Sequence, residues 1–244
     1  VDAHGLEDKY WRLVGNLLAQ LRGLSDGYSS ARSQEGEPSL SEIELLMLTM
    51  VDTDMDAVVV AAYTHGRLVN EHFKHPNKTT GVDEEDNGES TTGGGVAVSE
   101  LYANPYRSRR HHGHCSALIQ LAPNLADLWV THATWDSYRA MLRMVKYLDM
   151  PLPGVAARRM VFTANPSNLY SADDFYELDT GLTVLETSIT NYNSSLWAEI
   201  KPQTLMTWVR AMVANRLART GEEWTEIQDR HKSGTCNNQW MVVD

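Results

Sequence analysis

His111-His112-Gly113-His114-Cys115-Ser116-Ala117-Leu118-Ile119-Gln120-Leu121 places one of the chain's two cysteines at the head of a short apolar run. The segment just before it is rich in glycine and histidine. This spacing predicts a strand that opens at Cys115, preceded by a loop in which the peptide can be cut. A cysteine that starts a chain carries its own base. Its α-amino group, with a reference pKa of roughly 7.7–8.0, can take the thiol proton at neutral or mildly acidic pH. On this reading Cys115 is the nucleophile of an N-terminal nucleophile hydrolase, and the His114–Cys115 bond is the one broken to expose it. Two plainer readings stand beside it: Cys115 as a small buried apolar side chain, or as half of a disulfide with Cys236.

Downstream, 115–121 and 128–134 read as strands joined at Pro123-Asn124. If they form a hairpin, His132 returns beside Cys115. Asp136 can cap a helix with a stripe of Tyr138, Met141, Leu142, Val145 and Leu148, stopped by Pro151 and Pro153. Strands are predicted over 159–164, 174–178 and 182–189. A helix over 203–220 turns Leu205, Trp208, Val209, Met212, Val213 and Leu217 inward, and a shorter helix covers 222–231. A last strand, 239–243, ends with no sheet to close it, which predicts an incomplete domain. Strand pairs followed by helices predict a layered α+β domain.

Upstream, Leu6, Tyr10, Leu13, Val14, Leu17, Leu18, Leu21 and Leu24 form a helical stripe over 6–28, with Gly27 suited to its end. Residues 29–40 read as a loop. Ser41-x-x-Glu44 is a capping-box pattern before the apolar run 43–50. A further helical run, 57–63, follows Asp52-Thr53-Asp54, against the preference of its β-branched valines. Residues 75–95 hold almost nothing to bury and read as a flexible linker or surface loop. The acidic run at 83–86 lacks the ligand spacing of a calcium loop.

Composition narrows the function classes. The net charge is −11, and residues 1–114 hold 10 Lys+Arg against 18 Asp+Glu while 115–244 hold 11 against 14. Such a surface argues against nucleic acid, whose phosphates call for basic partners. No apolar run approaches the roughly 20 residues that span a bilayer. No signal-peptide pattern opens at Val1, which reads as a mature or trimmed end. Two cysteines are too few for a disulfide scaffold. Sequons at Asn77-Lys78-Thr79 and Asn193-Ser194-Ser195 are candidate glycosylation sites that favour a secretory route.

Ordered blocks then carry a resemblance: His114-Cys-Ser-Ala-Leu-Ile-Gln-Leu, His132-Ala-Thr-Trp-Asp-Ser-Tyr, Met141-Leu-Arg-Met, Asp173-Asp-Phe-Tyr-Glu-Leu, Gly181-Leu-Thr-Val-Leu-Glu-Thr-Ser-Ile, Trp208-Val-Arg-Ala-Met-Val-Ala-Asn-Arg-Leu-Ala and Ser233-Gly-Thr-Cys-Asn-Asn-Gln-Trp-Met-Val-Val-Asp. They cover nearly all of 115–244. Gly23-Leu-Ser-Asp-Gly-Tyr and the region 48–58 match more loosely. The chain resembles the phospholipase B-like family, the lysosomal and secreted proteins related to lamina ancestor. That resemblance implies an N-terminal nucleophile hydrolase fold, a four-layer αββα sandwich, here incomplete. It also implies self-cleavage before Cys115, a lysosomal or secreted glycoprotein, and hydrolysis of lipid acyl esters or N-acyl amides. There are departures. The family's proteins are longer, with their oxyanion-binding asparagine further downstream. The loop between Tyr147 and Pro151 is shorter, and Cys236 replaces a tyrosine.

The expected chemistry follows from these residues. Residues 1–114, a helical segment with its linker, are released from the hydrolase core 115–244 when the Cys115 thiol attacks the His114 carbonyl. His111, His112 and His114 can assist proton transfer, or be only a histidine-rich surface loop; a zinc site lacks a second ligand pair. His132 orients the amine or the substrate, and Trp135 walls the pocket or fills the core. Thr187 and Ser188 present hydroxyls or are ordinary strand residues. Asn237 and Asn238 donate to an oxyanion or make a structural turn. No cofactor and no metal are called for. The expected partners are a lipid or N-acyl substrate and a companion chain or downstream region that completes the site. The alternative is a catalytically inactive member that binds lipid or serves a structural role.

Overall fold

A computed structural model describes residues 3–35, 40–50, 53–55, 57–62, 114–136, 138, 141–189, 193–236 and 238–244. Helix α1 (Ala3–Glu35) is longer than predicted, running through Gly27. A helical glycine costs only about 1 kcal/mol, and no proline interrupts the chain before Pro38. The predicted loop at 29–40 is therefore helical as far as Glu35, and 36–39 lie outside the described residues. Its buried stripe is Tyr10, Leu13, Val14, Leu17 and Leu21. Helix α2 (Glu42–Thr49) opens on the predicted capping box. The Ser41 hydroxyl accepts from the Glu44 N–H at 3.3 Å, and the Glu44 carboxylate accepts from the Ser41 N–H at 2.8 Å. Residues 57–62 are helical. The expected linker at 75–95 lies outside the described residues.

Among the described residues seven strands follow: β1 (His114–Leu121), β2 (Leu128–Trp135), β3 (Met144–Asp149), β4 (Arg159–Ala164), β5 (Phe175–Leu178), β6 (Thr183–Ser188) and β7 (Asn238–Val243). Helices α3 (Thr207–Leu217) and α4 (Gly221–Gln228) separate the last two strands. Strands β3 to β7 form one antiparallel sheet in chain order. Strands β1 and β2 form a separate hairpin, and β1 packs along β6.

Two expectations are corrected. Of the helix predicted from Asp136 to Leu148, the described residues 136, 138 and 141–143 form no α-helix, and 144–149 are β3. Tyr138, Met141, Leu142 and Val145 are exposed, so the apolar spacing faces no core. Residues 144–149 pair with β4 instead, from Met144 opposite Ala164 to Asp149 opposite Arg159. The last strand also has its sheet. Strand β7 pairs with β6 along its whole length, from Thr183 opposite Val243 to Ser188 opposite Asn238.

One hydrophobic core joins the layers. Tyr10, Leu13, Val14 and Leu17 of α1 pack with Met160, Phe162, Tyr176 and Val184 of the sheet and with Trp208, Met212, Val213 and Trp224 of α3 and α4. Every residue of α3 is buried, its polar ones included. Arg210 donates to the Gln228 carbonyl at 2.5 Å, Arg216 to the Arg158 carbonyl at 2.7 Å, and Asn215 accepts from Trp224 Nε1 at 2.7 Å. Such hydrogen bonds are what make burying charge tolerable. The segment ahead of Cys115 thus shares its core with the segment behind it.

Candidate active site

The β1–β2 hairpin sets the geometry. Its antiparallel register places Cys115 opposite Thr134, Ala117 opposite His132, and His114 opposite Trp135. Side chains directly opposite share a face, and so do those two residues along a strand. Cys115, Thr134 and His132 therefore share one face, with His132 one diagonal step from Cys115. The predicted return of His132 to the cysteine is what the register gives. Trp135, the residue after Thr134, points by the strand's alternation to the opposite face and is 60 % exposed, so it is not a core tryptophan.

Cys115 is a free, half-buried thiol, and Cys236 is free as well, so the disulfide alternative is not formed. Burial pushes the Cys115 thiol up to about 11, aided by the charges of Glu186, Asp173 and Asp136, while the Thr134 hydroxyl opposes the shift. This is the state of the chain with the His114–Cys115 bond intact and no α-amine present. A thiol raised from 9.0 to about 11 carries about a hundredfold less thiolate at neutral pH than an ordinary one. Alkylation of Cys115 in the uncut chain at pH 7.5, followed by mass mapping, is accordingly expected to run about a hundredfold slower than for a free cysteine. The unfolded chain loses this proton first. The thiol's contribution to stability is thus complete below about pH 9 and lost as pH rises through about 11.

His132 Nε2 lies 2.8 Å from the Glu186 main-chain oxygen. A carbonyl only accepts, so Nε2 carries the proton and Nδ1 is the acceptor. Burial lowers the imidazole's pKa, against the raising effects of that hydrogen bond and of Asp173. The ring leans on Phe175, with centroids 6.4 Å apart. A neutral imidazole held by the backbone suits orientation better than charge.

An open cleft of about 450 Å³ lies along this face, walled by Val130, His132, Thr134, Arg143, Asp173 and Phe175. At its rim Arg143 Nε donates to Asp173 Oδ1 at 3.0 Å, and the guanidinium also reaches Asn165. Thr187 is half-buried on β6, opposite Gln239; Ser188, exposed, ends the strand opposite Asn238. Asn238 Nδ2 donates to Cys236 Sγ at 3.2 Å. Asn193 is exposed and accepts from the Ser195 N–H at 3.1 Å. His111, His112, Asn77 and Asn237 lie outside the described residues, and of His114 only the backbone is described.

Sequence reasoning missed Thr134, Asp174 and Glu186. Glu186 had a signal: it stands two residues after Val184 on the same strand, a carboxylate where the alternation calls for an apolar side chain. Asp174 and Glu186 are 7 % and 1 % exposed. Burial and the Glu186 charge push Asp174 well up, burial raises Glu186, and the two carboxyl groups hydrogen-bond.

Comparison with known proteins agrees over nearly the whole chain. The family model described as Phospholipase B matches residues 2–244. "Phospholipase B-like protein B" of Dictyostelium discoideum is 34 % identical over 243 residues, covering 97 % of this chain and 37 % of the relative. "Putative phospholipase B-like 2" of Homo sapiens is 46 % identical over 250 residues, covering 98 % of this chain and 35 % of the relative. "Phospholipase B-like 1" of Rattus norvegicus is 30 % identical over 240 residues, covering 98 % and 37 %. The chain thus spans little more than a third of the length of these relatives.

Proposed function

Because the chain belongs to the phospholipase B-like family, we propose that it is part of an N-terminal nucleophile hydrolase of αββα type, with 115–244 opening the hydrolase core. In this reading it severs its own His114–Cys115 bond and then uses Cys115 on lipid acyl esters or amides. The observation that carries it is the placement of Cys115: a free thiol near the start of β1, on the hairpin face it shares with Thr134 and His132, both of which line the cleft. The α-helical and β-sheet layers of the described residues are compatible with such a sandwich.

After the cut, the new α-amine removes the thiol proton, the thiolate adds to the substrate carbonyl, and the alcohol or amine departs with that proton. Water then hydrolyses the acyl-enzyme and restores the thiol. His132 orients the amine or substrate, and Thr187 and Ser188 offer hydroxyls, while Trp135, on the hairpin's opposite face, takes no part in walling the cleft. Asn77 and Asn193 would carry glycans in a lysosomal or secreted protein.

Incubation at pH 4–6 followed by N-terminal sequencing is expected to show a second terminus reading Cys-Ser-Ala-Leu. Acyl release from an ester and amide panel should appear with it and vanish on alkylation. A chain that stays whole and releases nothing would instead be the inactive, lipid-binding or structural member.

A further inference from the structure

Cutting the chain needs a proton acceptor before any α-amine exists at Cys115. Among the described residues, the Asp174–Glu186 pair meets that need. The Glu186 N–H donates to the Asp174 carbonyl at 3.1 Å, so the two carboxyl groups are held together through the backbone as well as by their own hydrogen bond. Asp174 takes a φ of +48, a left-handed conformation, and its N–H donates to the Ser171 carbonyl at 3.2 Å. Glu186 Oε2 is buried with no hydrogen-bond partner among the described residues. Native proteins seldom leave such an acceptor open without a use for it. The main-chain oxygen of the same residue holds His132, β1 packs along its strand, and its charge acts on the Cys115 thiol.

We infer that Asp174 and Glu186 form the proton relay of the self-cleavage step, with Glu186 Oε2 taking the Cys115 thiol proton as sulfur attacks the His114 carbonyl carbon. This rests on the reading of Cys115 as the nucleophile. The S–C bond forms, the peptide C–N bond breaks, and the proton held by Glu186 passes to the departing nitrogen, which becomes the α-amine. Water then adds to the thioester carbon and the C–S bond breaks. The sulfur regains a proton from that water, and His114 is left with a carboxyl group. The pair ends in its starting protonation state.

Several groups face the pair: Cys115 from β1, His132 from β2, Asp173 and Tyr176 at β5, Asp54 from 53–55, and Cys236 ahead of β7. Since the relay needs Glu186 ionised, the cut accelerates as pH rises through the pair's elevated titration range.

Cell-free synthesis of the whole chain, sampled on denaturing gels between pH 4 and 8, measures the cut. Glu186→Gln is expected to slow it about a hundredfold and flatten its pH profile. The same change should modestly speed alkylation of Cys115 in the uncut chain, because one of the charges that add to burial in holding the thiol up is gone. A folded Glu186→Gln chain that cuts at the unsubstituted rate and profile overturns the relay and leaves Cys115 untouched as nucleophile. A Cys115→Ala chain that still cuts overturns the underlying reading instead. Should Glu186→Gln fail to fold, Glu186→Asp decides. A slower cut that keeps its pH dependence supports the relay, and an unchanged rate overturns it.

Discussion

Cys115→Ala is expected to leave a whole 244-residue chain and to lower acyl release by at least about a thousandfold. Alanine fills the space of the thiol without its nucleophile, so both the cut and the turnover lose the atom on which they depend. Cys115→Ser keeps a nucleophile of far lower acidity and should cut slowly rather than never. Cys236→Ala is the matched control. That thiol is held well up by burial, accepts from Asn238 and faces the Asp174–Glu186 pair, so its loss should change the rate of the cut only modestly and leave the nucleophile in place. A denaturing-gel time course with intact mass at each point reads all three. Fragments ending at His114 in the Cys115→Ala chain would sink the nucleophile assignment.

Asp54→Ala is expected to cost about 4 kcal/mol of stability, the sum of a lost helix cap and buried donors left unpaired. Asp54 is fully buried. Its carboxylate accepts from the Thr207 N–H at 2.8 Å and the Trp208 N–H at 3.4 Å, and the Thr235 hydroxyl donates to it as well. Thr207 and Trp208 open α3, whose own N-cap, Met206, supplies no side-chain cap. A residue from the first half of the chain therefore caps the central helix of the second half. Chemical denaturation measures the loss, and Asp54→Asn, which keeps one acceptor oxygen, should lose less. The same contacts, with Tyr10 and Leu17 in the shared core, bear on the expected release of residues 1–114. After the cut the two pieces should co-elute in native buffer and separate only in denaturant.

What the sequence made legible was local. Strands β1, β2 and β4 and the helices α3 and α4 announced themselves through alternation, β-branched residues and apolar stripes, and the Ser41–Glu44 box marked its helix start. The segment 136–148 misled because its apolar residues fall by coincidence at helical spacing. Only pairing with β4, a non-local event, decides that residues 144–149 are extended. Strand β7 looked unpartnered for the same reason, since its partner β6 lies before two intervening helices. At the site, Cys115 and His132 could be joined by counting along a two-strand hairpin. The Asp174–Glu186 contact could not, because it depends on a left-handed turn ahead of β5 and on burial from several elements at once.

The free state of both cysteines has a practical corollary. No cross-link contributes to this scaffold, so dithiothreitol or glutathione can be carried through purification and storage without loosening it. Sulfur oxidised to the sulfenic level at position 115 would be recoverable by the same reagents, while the sulfinic and sulfonic forms would not.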